Sequence, residues 1–275
     1  MKAMIQIQTK LSHNKEFELL SKNLLELKIC GKELFSYYFD LLNELNVQEI
    51  YIVDSQLKTY INEYYFSDVF APKIKFINEE NINSIENSDM IFIKNIGFLL
   101  DSFSDIKNIL INEKENFKIK DRTFELIYTN KESKEATIVE KKLLKIKSLQ
   151  SLKDYIFISN SILSSVEEID YTLGYSSDDG IIIGKNVQID KSCILKKPII
   201  ILDNVKVSKN CVLGPNLIIQ NDVYIDENTQ ILDSIIYNNR FVSCNLNIKD
   251  KITSVNNLID TKSFQNHSID KIFIN

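Results

Sequence analysis

Arginine is almost missing from this chain: Arg122 and Arg240 are the only two among 33 basic residues, which face 38 acidic ones for a formal net charge of −5. A nucleic-acid surface needs clustered cations to displace the counterions of phosphate, so no nucleic-acid partner is expected. Histidine is as scarce, with His13 and His267 alone available as neutral-pH general bases. The four cysteines, Cys30, Cys193, Cys211 and Cys244, lack CxxC spacing, which excludes a zinc ribbon and leaves them as reduced, buried small residues. No run approaches the ~20 apolar residues of a membrane span, and no basic stretch leads into a short apolar core and a small-residue cleavage site. The expected location is the cytoplasm.

What is present is a repeat. From Ile183 to Ile236 the chain falls into nine six-residue units without insertion, each opening on an aliphatic residue: Ile183, Ile189, Leu195, Ile201, Val207, Leu213, Ile219, Ile225 and Ile231. The fifth position is apolar or small throughout, from Val187 and Cys193 to Thr229 and Ile235. The fourth holds Asn186, Ser192, Pro198, Asn204, Asn210, Asn216, Asp222, Asn228 and Ser234, residues that accept tightly turned or left-handed backbone. A chain that turns every six residues buries one side of each short strand only by stacking on its neighbours.

The N-terminal half reads differently. Met1 to Ile7 is a short apolar strand, Gly31-Lys32 a turn, Lys32 to Leu45 an amphipathic helix, and Glu49 to Val53 a second strand. Strand, helix, strand points to a parallel pair with a right-handed crossover. Glu113 to Arg122 and Lys131 to Glu135 are mixed-charge runs read as solvated loops or hairpins, and 164–180 as a polar connector.

The repeat resembles the hexapeptide family of left-handed parallel β-helices, in which three units make one triangular coil. Nine units imply three coils, with Ile183, Ile201 and Ile219 stacked and Cys193 above Cys211. The N-terminal half resembles the sugar-1-phosphate nucleotidyltransferases. Met1-Lys2-Ala3 matches the start of that family's first strand, and Ser21-Lys22-Asn23-Leu24-Leu25 stands for its PKPLL segment. Val47 to Val53 matches its VEEIIIV strand, and Asp89 to Gly97 its Gly-Asp strand. Ile138-Val139-Glu140-Lys141 matches its Val-Glu-Lys-Pro segment, and Asp154 to Ile158 its Gly-x-Tyr-x-Phe strand.

The resemblance implies a site this sequence does not complete. Where the family has a glycine-rich phosphate loop, the chain has Thr9-Lys10-Leu11-Ser12-His13. The family's Gly-Asp position falls on Asn95-Ile96 or Gly97-Phe98 and its second metal-holding acid on Ser159, none of them a carboxylate, leaving Asp101 as the nearest acid to the first, otherwise a helix N-cap. Lys22, Glu140 and Lys141 survive at positions that contact phosphate and sugar in the family.

The expected architecture is therefore an α/β nucleotidyltransferase-like domain over 1–165, a connector over 166–180, a left-handed β-helix over 181–236 and a C-terminal cap over 237–275. The expected function is a degenerate relative that binds a sugar phosphate or nucleotide sugar, or that regulates or scaffolds an active relative in nucleotide-sugar or surface-polysaccharide metabolism. It would act as a homo-oligomer or in complex with that relative. No cofactor or metal is expected; Mg²⁺ belongs to the alternative of an active enzyme with a diverged site. A second alternative is a β-helix acyltransferase, whose general base would have to be His267, since the repeat itself contains no histidine.

Overall fold

The computed structural model describes residues 1–6, 20, 27–53, 73–77, 89–95, 97–101, 103–112, 116–130, 139–140, 144–164, 175–254 and 257–268. The chain divides into two units, Met1–His13 with Phe35–Gln150, and Asn14–Leu34 with Ser151–Asn275. In chain order the first 150 residues give β1 (Lys2–Gln6), β2 (Lys28–Ile29), β3 (Lys32–Glu33), α1 (Leu34–Glu44), β4 (Glu49–Val53), β5 (Lys73–Phe76), β6 (Met90–Lys94) and β7 (Gly97–Leu99). They continue with α2 (Phe103–Asn112), β8 (Phe117–Asp121), β9 (Phe124–Thr129), β10 (Val139–Glu140) and β11 (Ile146–Ser148).

The first unit is built on a seven-stranded sheet of order β10-β8-β9-β6-β1-β4-β5. The first strand lies inside it, parallel to β4 on one side and to β6 on the other. Strand β9 runs antiparallel to both β6 and β8. Alternation explains the layering: Ala3, Ile5, Ile50, Ile52, Ile91 and Ile93 share one face and are buried. The first strand, α1 and β4 stand where the sequence places them. Of the two readings of the charged run before Arg122, its second half takes the hairpin: β8 alternates buried Phe117 and Ile119 with lysines and pairs along its length with antiparallel β9.

The second unit begins with the β2–β3 hairpin, turned by Cys30 (φ 49°) and Gly31 (φ 84°). It continues with α3 (Leu152–Ser164). The reading of Asp154 to Ile158 as a strand is corrected here. Ser151 Oγ accepts the Asp154 N–H at 3.2 Å while the Asp154 carboxylate accepts the Ser151 N–H at 3.1 Å, a reciprocal cap that starts a helix. Leu152, Tyr155, Ile158, Ser159 and Ile162 then fall on one buried face.

The repeat winds into three parallel sheets, a β-helix-like arrangement. The first contains β13 (Ile181–Ile183), β16 (Ile199–Ile201), β19 (Leu217–Ile219), β22 (Ser234–Ile236) and β25 (Lys251–Thr253). The second is β14 (Gln188–Ile189), β17 (Lys206–Val207), β20 (Val223–Ile225) and β23 (Arg240–Val242). The third is β15 (Ile194–Leu195), β18 (Val212–Leu213), β21 (Gln230–Leu232) and β24 (Asn247–Lys249). Ile199, Ile201, Val205, Leu213, Ile219, Ile225 and Ile231 fill the interior with no exposure. Cys193 does stand one coil from Cys211, with Ile194 paired to Val212, and all four cysteines are free.

Winding continues past Ile236, although the six-residue phase already slips between Asn228 and Asp233. Ile199 pairs with Leu217, a step of 18, but Leu217 pairs with Ser234 and Ile235 with Ile252, steps of 17. The left-handed corner residues record the slip, since Asn228, Asp233, Asn239, Asn245 and Asp250 all have φ between 49° and 59° and two of the intervals between them are five residues. Corner side chains also hydrogen-bond along the axis: Asn186 to Asn204 at 3.0 Å, Asn204 to Asp222 at 2.9 Å and Asn210 to Asn228 at 3.2 Å. Each such bond satisfies polar groups that the tight turn would otherwise leave bare.

The first sheet is closed at both ends by antiparallel strands, β12 (Ser176–Asp178) on β13, and β26 (Asn257–Asp260) with β27 (Asn266–Ser268) beyond β25. Asp260 pins this cap, accepting from Lys251 Nζ at 2.5 Å, Ser263 N at 2.7 Å and Lys262 N at 2.9 Å. The Lys251 ammonium first, then these amides, hold its carboxyl well below the usual carboxylate range. A depressed pKa stabilises the fold above the unfolded value of about 3.9 and loses that contribution as pH falls through the folded value. Amide protection over 257–268 is therefore expected to weaken below about pH 4, and Asp260→Asn to weaken it already at pH 7. Hydrogen exchange corrected for intrinsic rates tests this; equal protection at pH 7 and pH 3 would count against it.

Candidate functional site

In an open α/β sheet, ligands bind beyond the carboxyl ends of the strands, where neighbouring connections leave in opposite directions. In the first unit that point lies between β1 and β6, because β1 has β4 on its other side. The strands end there at Gln6 and Lys94, partners in the parallel register, with Asn95 following. Asn95 adopts φ 63°, and its N–H donates to the Gln6 carbonyl at 2.8 Å. Its Nδ2 donates to the Thr123 carbonyl at 2.6 Å. The side-chain Oδ1 is buried and has no hydrogen-bond partner among the described residues. A buried acceptor left bare costs about 1–3 kcal/mol, so this carbonyl is disposed to accept from a donor that reaches it.

The wall around Asn95 is firmly held. Tyr38 Oη donates to the Gly97 carbonyl at 2.6 Å and accepts the Gly97 N–H at 3.1 Å. Burial pushes the Tyr38 hydroxyl above the ordinary phenol range. A Cβ at Gly97 would stand 2.2 Å from the Phe124 ring, so the aromatic occupies the space a side chain would need. The β8–β9 turn, which carries Thr123, is tied through Ser148: Ser148 N donates to Asp121 at 2.6 Å, and Phe124 N donates to Ser148 Oγ at 3.1 Å.

Among the described residues of this unit, the most perturbed carboxylate sits at the opposite end. Glu49 starts β4 and accepts from Lys75 at 2.5 Å and Tyr51 at 2.8 Å, with Lys2 at 3.5 Å. These bonds, that from Lys75 first, bring it down to about 2. It lies at the amino ends of the strands, where it braces the sheet.

Of the residues singled out in the sequence, Lys22, Lys141 and His13 lie outside the described residues. Glu140 is exposed on β10, paired with Lys118, at one edge of the sheet. Four strand spacings, roughly 19 Å at about 4.8 Å each, separate β10 from β1. Asp101 accepts the Lys145 N–H at 2.5 Å, joining the loop before α2 to the one before β11. Ser159 is buried on α3 in the second unit, not at the end of a strand. His267 is exposed on β27, the outermost strand of the cap. No group of three or more His, Cys, Asp or Glu side chains able to hold a metal occurs among the described residues. No described helix is long and apolar enough to cross a membrane.

The second unit holds a polar cluster that the sequence reading missed. Tyr237 Oη donates to Tyr155 Oη at 3.1 Å, and Tyr155 Oη donates to the Lys28 carbonyl at 3.0 Å, while the Cys30 thiol reaches the Ser159 carbonyl at 3.5 Å. Burial raises both tyrosine hydroxyls. Together with the packing of Gly31 on Leu202, these bonds bring the β2–β3 hairpin and α3 against the outward face of the first sheet. That face is a stripe of isoleucine: Ile182, Ile200, Ile218, Ile235 and Ile252 are at most 5% exposed. Equivalent positions on the other sheets are Gln188, Lys206 and Gln230, or half-exposed to exposed apolar residues such as Ile194. The signal was available only in part, since the sixth position is isoleucine at Ile200 and Ile218, three units apart, but also at the exposed Ile194.

No protein-family model matches the chain, and no curated protein matches it.

Proposed function

We propose that the chain is a degenerate sugar-nucleotidyltransferase-like protein, joined to a left-handed hexapeptide β-helix, that binds a nucleotide sugar or sugar phosphate without transferring a nucleotidyl group. The observation that carries this reading is the chemistry at the β1–β6 switch point, where Gln6, Lys94 and Asn95 stand. Metal-assisted phosphoryl chemistry needs hard anionic oxygens to hold Mg²⁺. The residues present fit that ion poorly: two are amides, one is a cation, and the Asn95 amide is committed through Nδ2 to Thr123. The same set suits a ligand that offers hydroxyl or amine donors to the bare Asn95 carbonyl and an anionic group to Lys94. The β-helix supplies a rigid body for pairing with a second copy or with an active relative.

A thermal-shift panel of nucleoside triphosphates, nucleotide sugars and sugar phosphates, each with and without Mg²⁺, tests the proposal. A nucleotide sugar or sugar phosphate is expected to stabilise the protein without the metal, by about 2.7 kcal/mol at a hundredfold excess over its dissociation constant. A triphosphate that stabilises only with Mg²⁺ would restore the active enzyme. Silence across the panel would remove the ligand-binding role and leave the scaffold.

A further inference from the structure

Arg240 opens β23, the last strand of the second sheet. In the register it stands over Val223, which stands over Val205 and Val187 in turn, so a half-buried arginine holds the fourth rung of an inward-facing valine column. Beside it Phe241 faces out, stacked on Tyr224 at 5.4 Å. Arg240 Nη1 donates to the Asn239 carbonyl at 2.7 Å. Its Nε is buried and has no hydrogen-bond partner among the described residues. The Nε and Nη2 protons lie along one edge of the guanidinium, the edge whose fork matches the two oxygens of a carboxylate or phosphate. A buried donor left bare is costly, and a sequence with only two arginines places one of them at the end of an apolar column.

We propose that the Nε/Nη2 edge of Arg240 is a binding site for a small oxyanion, a phosphate or carboxylate group, at the C-terminal end of the β-helix. Burial also lowers the guanidinium pKa. The site lies in the second unit and does not depend on the reading of the first.

The scarcity of arginine makes the test direct, because the full chain labelled with ¹⁵N-arginine gives Nε–H signals from Arg122 and Arg240 alone. Inorganic phosphate, titrated at constant ionic strength, is expected to shift one signal saturably. That signal should be absent in Arg240→Met, a variant that keeps the packed stem. Acetate in a parallel titration distinguishes a carboxylate from a phosphate source, and a saturable shift with either supports the site. Movement of both signals together, or a linear drift, would indicate an adventitious ion only and overturn the proposal. A signal that moves with protein concentration and not with anion would overturn it by assigning the partner carboxylate to a second copy. Self-association of Arg240→Met without any phosphate effect would make the arginine a guard against strand addition, and the proposal would fall. If the nucleotide-sugar shift persists in Arg240→Met, the two sites are separate.

Discussion

Gly214→Ala is expected to destabilise the β-helix by about 3 kcal/mol or more, the sum of a left-handed backbone imposed on alanine and a collision that no rotamer relieves. Gly214 has φ 85°, and its N–H donates to the Ile231 carbonyl at 2.8 Å. A Cβ there would stand 1.9 Å from the Lys196 carbonyl oxygen, one coil away. That oxygen belongs to backbone whose own N–H is bonded to the Leu213 carbonyl at 2.7 Å, so it has nowhere to retreat. Since each coil rests only on its neighbours, damage between two coils uncouples those on either side. Equilibrium denaturation in urea reads the loss. A variant within about 0.5 kcal/mol of the parent would mean that the corner opens at little cost.

Ile219→Ala should come close to this effect by a different route. Ile219 is fully buried in the middle of the interior, between Ile201 and Ile236 in the first-sheet column. Truncation removes three carbons and leaves a cavity that stacked backbone rungs cannot close, a loss of about 2–5 kcal/mol. Ile194→Ala makes the control, because Ile194 faces outward on the third sheet and is 54% exposed. Its truncation is expected to change stability by less than about 0.5 kcal/mol. Equal losses for the two variants would contradict the inward and outward assignment of the repeat.

The aliphatic first position was legible because every third unit puts it in one column, where Ile201 and Ile219 are buried by each other. Strand β4 was legible to the residue, since Glu49 to Val53 lies between a helix end and a charged segment with no competing pattern. The helix α3 was not. Tyr155-Ile156-Phe157-Ile158 reads as strand by composition, and the serine-aspartate cap three residues apart, which outweighs it, was overlooked. The coil beyond Ile236 was hidden for another reason: a one-residue change resets a six-residue phase entirely, although Asn239, Asn245 and Asp250 still mark the corners. Of the site, Asn95 was legible only as one of the residues that close the Asp89 to Gly97 segment without a carboxylate. Its bond to Thr123 was not, because antiparallel β9 brings that turn in from 28 residues away and nothing local in the sequence encodes it.

The two coil lengths differ at one corner only. Between the third sheet and the first, three residues, Gly214-Pro215-Asn216, separate Leu213 from Leu217, while only two, Leu232-Asp233, separate their partners Ile231 and Ser234. Inward side chains on either side keep their columns through the change, as Leu213 over Ile231 and Ile219 over Ile236 demonstrate. The corner therefore works as an expansion joint. Insertions and deletions of one or two residues can accumulate there without shifting a neighbouring rung, so length variation in related chains should gather at this edge and spare the other two.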